Sequence, residues 1–227
     1  MENKTFFTRD LFIRILTSLI LGPIVILIVY EGGLALKFAI LLIATLMSFE
    51  WNKITAKSGS SKYPALWKII GMFYIAIPCT AILFISEQSH GNKILIWLLL
   101  TVWSADTSAF FSGKLIGGPK LAPKISPNKT WAGFLSSVSL SYFVGLQSVH
   151  FLDPKHPHLL IALTMTLTVY AQIGDLVESW IKRRFSIKDS GRSIPGHGGI
   201  LDRVDGIVLT APKVAFVVFY YNIFFQQ

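Results

Sequence analysis

The sequence predicts an all-α, polytopic integral membrane protein with about seven transmembrane helices and a polar cavity that faces the cytoplasm. The first observation is composition, since 52% of the 227 residues are hydrophobic and only 15% are charged. The second is distribution, because the charged residues are bunched between long apolar runs, whereas a soluble domain spreads them at helical or strand period. We expect one domain over residues 1–227.

Seven apolar runs approach the length of about 20 residues that a bilayer core requires. They cover residues 11–30, 34–49, 69–86, 94–111, 131–152, 159–173 and 206–225. The first run is too long for the apolar part of a signal peptide, and no small-x-small cleavage site precedes Glu31, so we interpret it as a retained helix. Because the second run is short and its boundary with the first is soft, a re-entrant piece or a higher count, up to nine segments, stays open.

Most of the 21 lysine and arginine residues fall on one side of the membrane if the N-terminus is cytoplasmic, while Lys93 and Lys155 fall on the other side. The positive-inside rule then places the loops at 113–130 and 182–205 on the cytoplasmic face of a cell inner membrane. Topology and attraction to anionic membrane lipids account for the net charge of +9, so no nucleic-acid partner is needed.

Two carboxylates, Asp106 and Asp175, interrupt the apolar character of predicted membrane helices. An ionisable group at such depth costs at least about 2.5 kcal/mol and usually faces a water-filled cavity in which it has a function. The alternative for both is a structural ion pair or a hydrogen bond to serine. Glu50, at the cytoplasmic end of the second span, is interpreted as a plain interfacial residue.

Two cytoplasmic loops combine cations with glycines, and both are predicted to bind phosphates. The loop at 113–130 has four lysines, glycines that let backbone amides approach an anion, and prolines that stiffen it. The alternative is a lysine-rich loop that only sets the topology. The run Pro-Gly-His-Gly-Gly at 195–199 can wrap a polyphosphate, and its His197 stays open as a phosphate donor, a base or a loop residue.

Acidic residues gather beside these cations. Asp175, Glu178 and Lys182 are spaced i, i+3 and i+7, so they share one helical face. Asp202 and Asp205 would project from one side of the first turn of the seventh helix. Mg²⁺ is often held by carboxylates together with substrate phosphates, and the three aspartates therefore predict a magnesium centre. The alternative for Asp202 and Asp205 is that they complement the dipole of the helix.

The most specific motif extends over residues 179–205. It reads Ser179-x-Ile181-Lys182-Arg183-x4-Lys188-Asp189-x-Gly191-x3-Pro195-Gly196-His197-Gly198-Gly199-x-Leu201-Asp202-Arg203-x-Asp205. This run resembles the motif of the phosphatidate cytidylyltransferases, also called CDP-diacylglycerol synthases. The similarity extends back through 174–179 and 123–130 to Asp106 and covers about residues 100–212, whereas the first hundred residues match only in being hydrophobic.

The resemblance implies transfer of a cytidylyl group from CTP to phosphatidic acid, with CDP-diacylglycerol and pyrophosphate as products. It also implies a divalent cation, Mg²⁺, which the family is thought to pair with K⁺. The metal ligands are then Asp175, Asp202 and Asp205, and the catalytic set adds Lys182 and His197 to them. The substrate-binding residues implied are Asp106, Lys124, Ser126, Lys129, Glu178, Ser179, Arg183, Lys188, Asp189, Arg192, Gly196, Gly198, Gly199 and Arg203.

The resemblance also suggests which loop holds which substrate. Cations at 182–197 would hold the triphosphate or the pyrophosphate leaving group. The lipid phosphate, or the far end of the nucleotide, would be held by Lys124, Ser126 and Lys129. Two alternatives stay open: a CTP-dependent polyprenol or phytol kinase of related architecture, and a membrane transporter, which would not need so dense a motif. The sequence leaves open the acyl-chain preference, the choice between CTP and dCTP, and the oligomeric state, with a homodimer among the alternatives.

Overall fold

The computed structural model describes residues 9–56, 63–191 and 198–221, and the side chains of residues 17–56, 63–191 and 198–220. Within these ranges the chain forms seven helices and one two-stranded antiparallel sheet. The elements are α1 (Arg9–Glu31), α2 (Gly33–Ala56), α3 (Pro64–Ser86), α4 (Gly91–Leu115), β1 (Lys120–Ala122), β2 (Ser126–Thr130), α5 (Trp131–Leu152), α6 (Pro157–Arg184) and α7 (Leu201–Tyr221).

Each of the seven apolar runs overlaps one helix, and residues 222–225 of the last run lie outside the described residues. The all-α prediction is confirmed for the described part of the chain. Five of these helices, α2 to α6, are long and apolar enough to cross a membrane. Their outward side chains are apolar as well, since Phe38, Leu41 and Phe49 are 67%, 63% and 70% exposed. A continuous apolar surface of this kind favours lipid over water as its surroundings. The protein is therefore a multi-pass membrane protein.

Helix α6 is longer than the apolar run from which it was predicted. The run ends at residue 173, but the helix continues to Arg184. In this extension Glu178 and Lys182 form an i, i+4 ion pair at 3.4 Å, which favours helix. Beyond the helix end Ser186 adopts a left-handed conformation with φ 53°, which a helix does not tolerate. The extension places Asp175, Glu178 and Lys182 on one rigid helix, as their spacing predicts.

The predicted phosphate-binding loop at 113–130 contains a β-hairpin that the sequence analysis did not predict. Strands β1 and β2 pair antiparallel, with Lys120 opposite Thr130 and Ala122 opposite Ser126. The register shifts between these two pairs. Backbone hydrogen bonds therefore hold this segment, which composition alone marked as a stiff loop.

Both ends of the hairpin are fixed to neighbouring helices. Gly117 and Gly118 turn the chain between α4 and β1 with φ of 68° and 90°, values that glycine adopts without steric cost. At the other end Thr130 caps α5, because its hydroxyl oxygen accepts the backbone N–H of Gly133 at 3.1 Å. The hairpin is consequently a short, supported link between α4 and α5.

The core is built around α4 and continues between α6 and α7. Trp97 of α4 is 1% exposed and donates its indole N–H to the hydroxyl oxygen of Thr164 on α6 at 3.2 Å. Further along α6 a Cβ at Gly174 would collide with the carbonyl oxygen of Asp205 on α7. Only glycine allows the two backbones to approach so closely. This crossing brings Asp175 and Asp205 near each other.

Candidate active site

The predicted phosphate-binding loop at 113–130 and the described flanks of the glycine-rich run, residues 185–191 and 198–200, lie at the end of the bundle where α6 ends and α7 begins. Arg183 on α6 donates from Nε to the carbonyl oxygen of Ile125, between the two strands, at 3.2 Å. Its Nη1 donates to the carbonyl oxygen of Ile187, in the chain that follows α6, also at 3.2 Å. Arg183, predicted to bind substrate, thus joins the hairpin to the chain that directly follows α6.

Lys129 on β2 pairs with Asp175 on α6. The distance from Lys129 Nζ to Asp175 Oδ2 is 2.7 Å, and Nζ also donates to the side-chain and backbone oxygens of Gln172 at 3.2 and 3.4 Å. The hydroxyl of Ser179 donates to the other Asp175 oxygen, Oδ1, at 3.3 Å. The ion pair and the serine hydrogen bond that are the structural alternatives for Asp175 are both present, and the ion pair places a predicted phosphate-binding lysine against a candidate metal ligand.

Lys182 forms a second lysine–carboxylate group one helical turn further along. Its Nζ lies 2.6 Å from Asp202 Oδ1 and 3.4 Å from Glu178 Oε1. Glu178 is only 3% exposed, and within the described residues neither of its carboxylate oxygens accepts a hydrogen bond. A buried carboxylate without hydrogen bonds is costly, so this position favours a bound cation or a proton.

Asp202 is oriented by the loop that precedes α7. Its Oδ2 accepts three hydrogen bonds, from Ser190 N at 3.1 Å, Ser190 Oγ at 2.9 Å and Gly199 N at 3.0 Å. Both Asp202 oxygens are therefore engaged, one by loop donors and the other by Lys182. Asp202 holds the loop in place in addition to any part that it takes in metal binding.

Two further carboxylates, Asp205 and Asp106, lie near Asp175. Asp205 lies close enough to Asp175 and Asp106 to be repelled by both, and Asp106 is also repelled by Asp175. Lys129 and Arg203 offset part of the charge around Asp106. On Asp205, Oδ1 accepts the backbone N–H of Gly206 at 2.7 Å. Acids from α4, α6 and α7 thus converge, as expected for residues lining a polar cavity.

The residues of this end fit a divalent cation by their chemistry. Within the described ranges no three acidic, histidine or cysteine side chains form a ready-made metal cluster. However, Asp175 and Asp205 repel each other, and neither oxygen of the buried Glu178 accepts a hydrogen bond from a described residue, although Lys182 Nζ lies 3.4 Å from Oε1. Carboxylate oxygens are the donors that Mg²⁺ prefers, and a cation among them would relieve the repulsion. Asp175 and Asp202 would exchange a lysine for the metal.

The remaining predicted residues divide into three groups. Gly198 and Gly199 precede α7 beside Asp202, and Ser126 lies half-buried on β2. Residues at the surface of the same end are Lys124, Lys188, Asp189 and Arg203. Residues outside the described ranges are Arg192, Gly196 and His197, so their roles stay predictions.

Two residues near the site were not predicted. The interpretation of Glu50 as a plain interfacial residue is wrong, because its side chain is 5% exposed and accepts hydrogen bonds from Ser190, Ile200 and Leu201. The sequence signal that could have indicated this role was the position of Glu50 directly after an apolar run.

Tyr74 on α3 has a buried hydroxyl that forms no hydrogen bond within the described residues and lies in the field of the site carboxylates. A tyrosine in an apolar helix gave no signal.

Comparison with known proteins agrees with the motif. Residues 65–221 match the family model described as the cytidylyltransferase family. A phosphatidate cytidylyltransferase of Brucella abortus is 31% identical, over 87% of this chain and 89% of the relative. Those of Rickettsia bellii and Rickettsia felis are 35% and 33% identical, each over 92% of this chain and over 90% and 92% of the relative. The similarity therefore extends well into the first hundred residues, where the motif resemblance found only hydrophobic character.

Proposed function

Because the chain belongs to the cytidylyltransferase family, we infer that it catalyses the phosphatidate cytidylyltransferase reaction. It transfers the cytidylyl group of CTP to the phosphate of phosphatidic acid, and the products are CDP-diacylglycerol and pyrophosphate. Relatives with that name match nearly the whole chain, and the described residues of the motif gather at one end of the helix bundle.

The observation that carries this function is the pair of lysine–carboxylate contacts, Lys129 with Asp175 and Lys182 with Asp202, at 2.7 and 2.6 Å. They place cations and acids from three elements beside one another. When the phosphates of the substrates approach, the lysines exchange a carboxylate for a phosphate oxygen, and the released carboxylates become available to a metal ion. One constellation thereby serves polyanions and a divalent cation together.

The chemistry requires positioning more than acid–base catalysis. The phosphate of phosphatidic acid is ionised near neutral pH, so it attacks the α-phosphorus of CTP without a strong general base, and pyrophosphate leaves. The protein must hold two polyanions together and stabilise the charge that develops between them. Lys129, from β2, and Lys182, on α6 itself, supply positive charge along the same face of α6. Mg²⁺ held by Asp175, Asp202 and Asp205 would neutralise charge on the reacting phosphates.

Formation of a labelled lipid tests this function. Detergent-solubilised protein is incubated with phosphatidic acid, Mg²⁺ and CTP labelled either at the α-phosphate or at the γ-phosphate, and the lipids are separated by thin-layer chromatography. We expect label in the lipid only from α-labelled CTP. Transfer of the γ-label to a polyprenol or phytol substrate would indicate a kinase, and no lipid label with any of these substrates would overturn the proposed reaction.

The orientation is a second part of the proposal: the site faces the cytoplasm across a cell inner membrane. The positive-inside rule supports this side, since the lysine-rich hairpin and the basic end of α6 share one end of the bundle. Single cysteines at Lys120, Ser89 and Asp153 in a Cys79→Ala background test it with an impermeant reagent. We expect the Lys120 position to be labelled only from the cytoplasm and the other two only from outside. The reverse pattern would overturn the orientation.

A further inference from the structure

Glu50 is a buried carboxylate on α2 that holds the beginning of α7. Its Oε1 accepts the N–H of Ile200 at 2.9 Å, and its Oε2 accepts the N–H of Leu201 at 3.0 Å. Amides at a helix start have no acceptor within the helix, and the positive end of the helix dipole favours a negative charge there. A side chain from a distant part of the sequence thus supplies the cap that α7 lacks locally.

The same carboxylate is linked to Asp202 through a single side chain. Ser190 Oγ lies 3.1 Å from Glu50 Oε2 and 2.9 Å from Asp202 Oδ2. A hydroxyl has one hydrogen, so the two acids share one donor, while the backbone N–H of Ser190 stays with Asp202 at 3.1 Å. A displacement of Glu50 therefore changes the position of Ser190, and with it the orientation of Asp202.

Two glycines of the motif make room for Glu50. A Cβ at Gly191 would lie 2.7 Å from Glu50 Oε1. A Cβ at Gly199 would collide with Ser190 Oγ and lie 2.5 Å from Glu50 Oε2. Neither distance is compatible with ordinary packing. At these two positions the structure explains glycine by the approach of Glu50, independently of any bound phosphate.

We propose that Glu50 is a positioning residue for the transfer reaction: through Ser190 and the first amides of α7 it keeps Asp202 in its working orientation. The inference rests on the proposed function for the reaction that it serves. A carboxylate suits the site because its two oxygens receive donors from three directions. Glutamine has the same shape but only one acceptor oxygen, and its amide would face a backbone N–H or the serine hydroxyl.

The variant Glu50→Gln tests the contact and its consequence together. We expect kcat to fall at least about tenfold while the KM for phosphatidic acid changes less than about twofold, since the lost interaction orients a reacting group and does not bind lipid. Hydrogen exchange should become faster at the amides of Ile200 and Leu201. Glu87→Gln is the matched control, because that carboxylate is exposed and pairs with Lys37 at 3.1 Å far from the site.

Ser190→Ala separates the link to Asp202 from the cap on α7. We expect the Mg²⁺ concentration for half-maximal activity to rise about threefold or more with little change in thermal stability. The double variant with Glu50→Gln should have a kcat no lower than that of Glu50→Gln alone.

Unchanged kcat and unchanged hydrogen exchange in Glu50→Gln would overturn the inference, and so would an unchanged Mg²⁺ dependence in Ser190→Ala. If Glu50→Gln does not fold, the Mg²⁺ dependence of Ser190→Ala alone tests the inference. If the wild-type protein shows no cytidylyl transfer, the proposed function is overturned instead. Hydrogen exchange at Ile200 and Leu201 then still tests whether Glu50 holds these two amides.

Discussion

The hairpin and the glycine-rich segment meet at the same end of the protein, but they are held in different ways. The hairpin at 117–130 is fixed by its own backbone ladder and by the Thr130 cap. On the described flanks of the glycine-rich segment, residues 190–191 and 198–201, two carboxylates, Glu50 and Asp202, accept N–H and O–H groups of Ser190, Gly199, Ile200 and Leu201. A substitution in the hairpin should therefore have a local effect, whereas loss of an acid around the second segment changes backbone and site together.

The largest expected effect comes from the three candidate metal ligands. Asp175→Asn, Asp202→Asn and Asp205→Asn should each reduce turnover about a hundredfold or more, because each removes a charged ligand from the cation that neutralises the reacting phosphates. Hydrogen exchange at Gly199, whose N–H donates to Asp202, distinguishes an acid that also holds the backbone from one that does not. Exchange there should rise in Asp202→Asn and stay unchanged in Asp175→Asn. Near-normal turnover in either Asp202→Asn or Asp205→Asn at saturating Mg²⁺ would refute the metal assignment.

The sequence was sufficient to predict the helices, because a bilayer requires long apolar runs and their ends are marked by charge. The shared face of Asp175, Glu178 and Lys182 was also predictable, because spacing along one helix fixes relative direction. The end of α6 could not be predicted in this way. Hydrophobicity marks where the apolar part stops, at residue 173, but the helix continues through charged residues that pair along it.

The pairings across elements could not be derived from the sequence. Lys129 and Asp175 are 46 positions apart in the sequence, and Glu50 and Ser190 are 140 apart, and no local rule sets such contacts. The hairpin was missed for a related reason. Its strands are three and five residues long and lack alternating hydrophobicity, since they are supported by α4 and α5 and not by a sheet core. Gly199 was predicted to bind substrate and Gly191 entered only as a position of the motif, so the approach of Glu50 to both glycines was not predicted.

An intermediate effect is expected from a matched pair of glycine substitutions. Gly199→Ala places a methyl group against Ser190 and Glu50, so it should reduce kcat at least about tenfold and accelerate exchange at Ile200. Gly117→Ala meets no atom within 4 Å, and its φ of 68° costs roughly 1 kcal/mol. We expect Gly117→Ala to lower the thermal stability slightly and to leave kcat within about threefold. Equal losses of kcat in both variants would contradict the difference between the two segments.

The smallest effect distinguishes the segments by the substrate that each binds. Phosphatidic acid must reach the site sideways from the membrane and CTP from water, so the site needs one opening to lipid and one to solvent. Lys129 lies on the hairpin, is half-buried, and contacts Asp175 on the membrane helix α6. Lys188 is exposed in the segment that follows α6. We therefore assign Lys129 to the lipid phosphate and Lys188 to the nucleotide.

Neutralising a lysine that binds one substrate equally well in the ground and transition states should raise mainly the KM for that substrate. Lys129→Gln should raise the KM for phosphatidic acid at least about threefold more than it raises the KM for CTP. Lys188→Gln should raise the KM for CTP more than the KM for phosphatidic acid. Because Lys129 also pairs with Asp175 at 2.7 Å, its variant should lose some kcat as well, whereas Lys188→Gln should not. Both KM values are measured for each variant, with Lys93→Gln, at the opposite end of α4, as the control. A reversed pattern would assign the hairpin to CTP, and equal changes for both substrates would show that the two segments close over a single shared phosphate site.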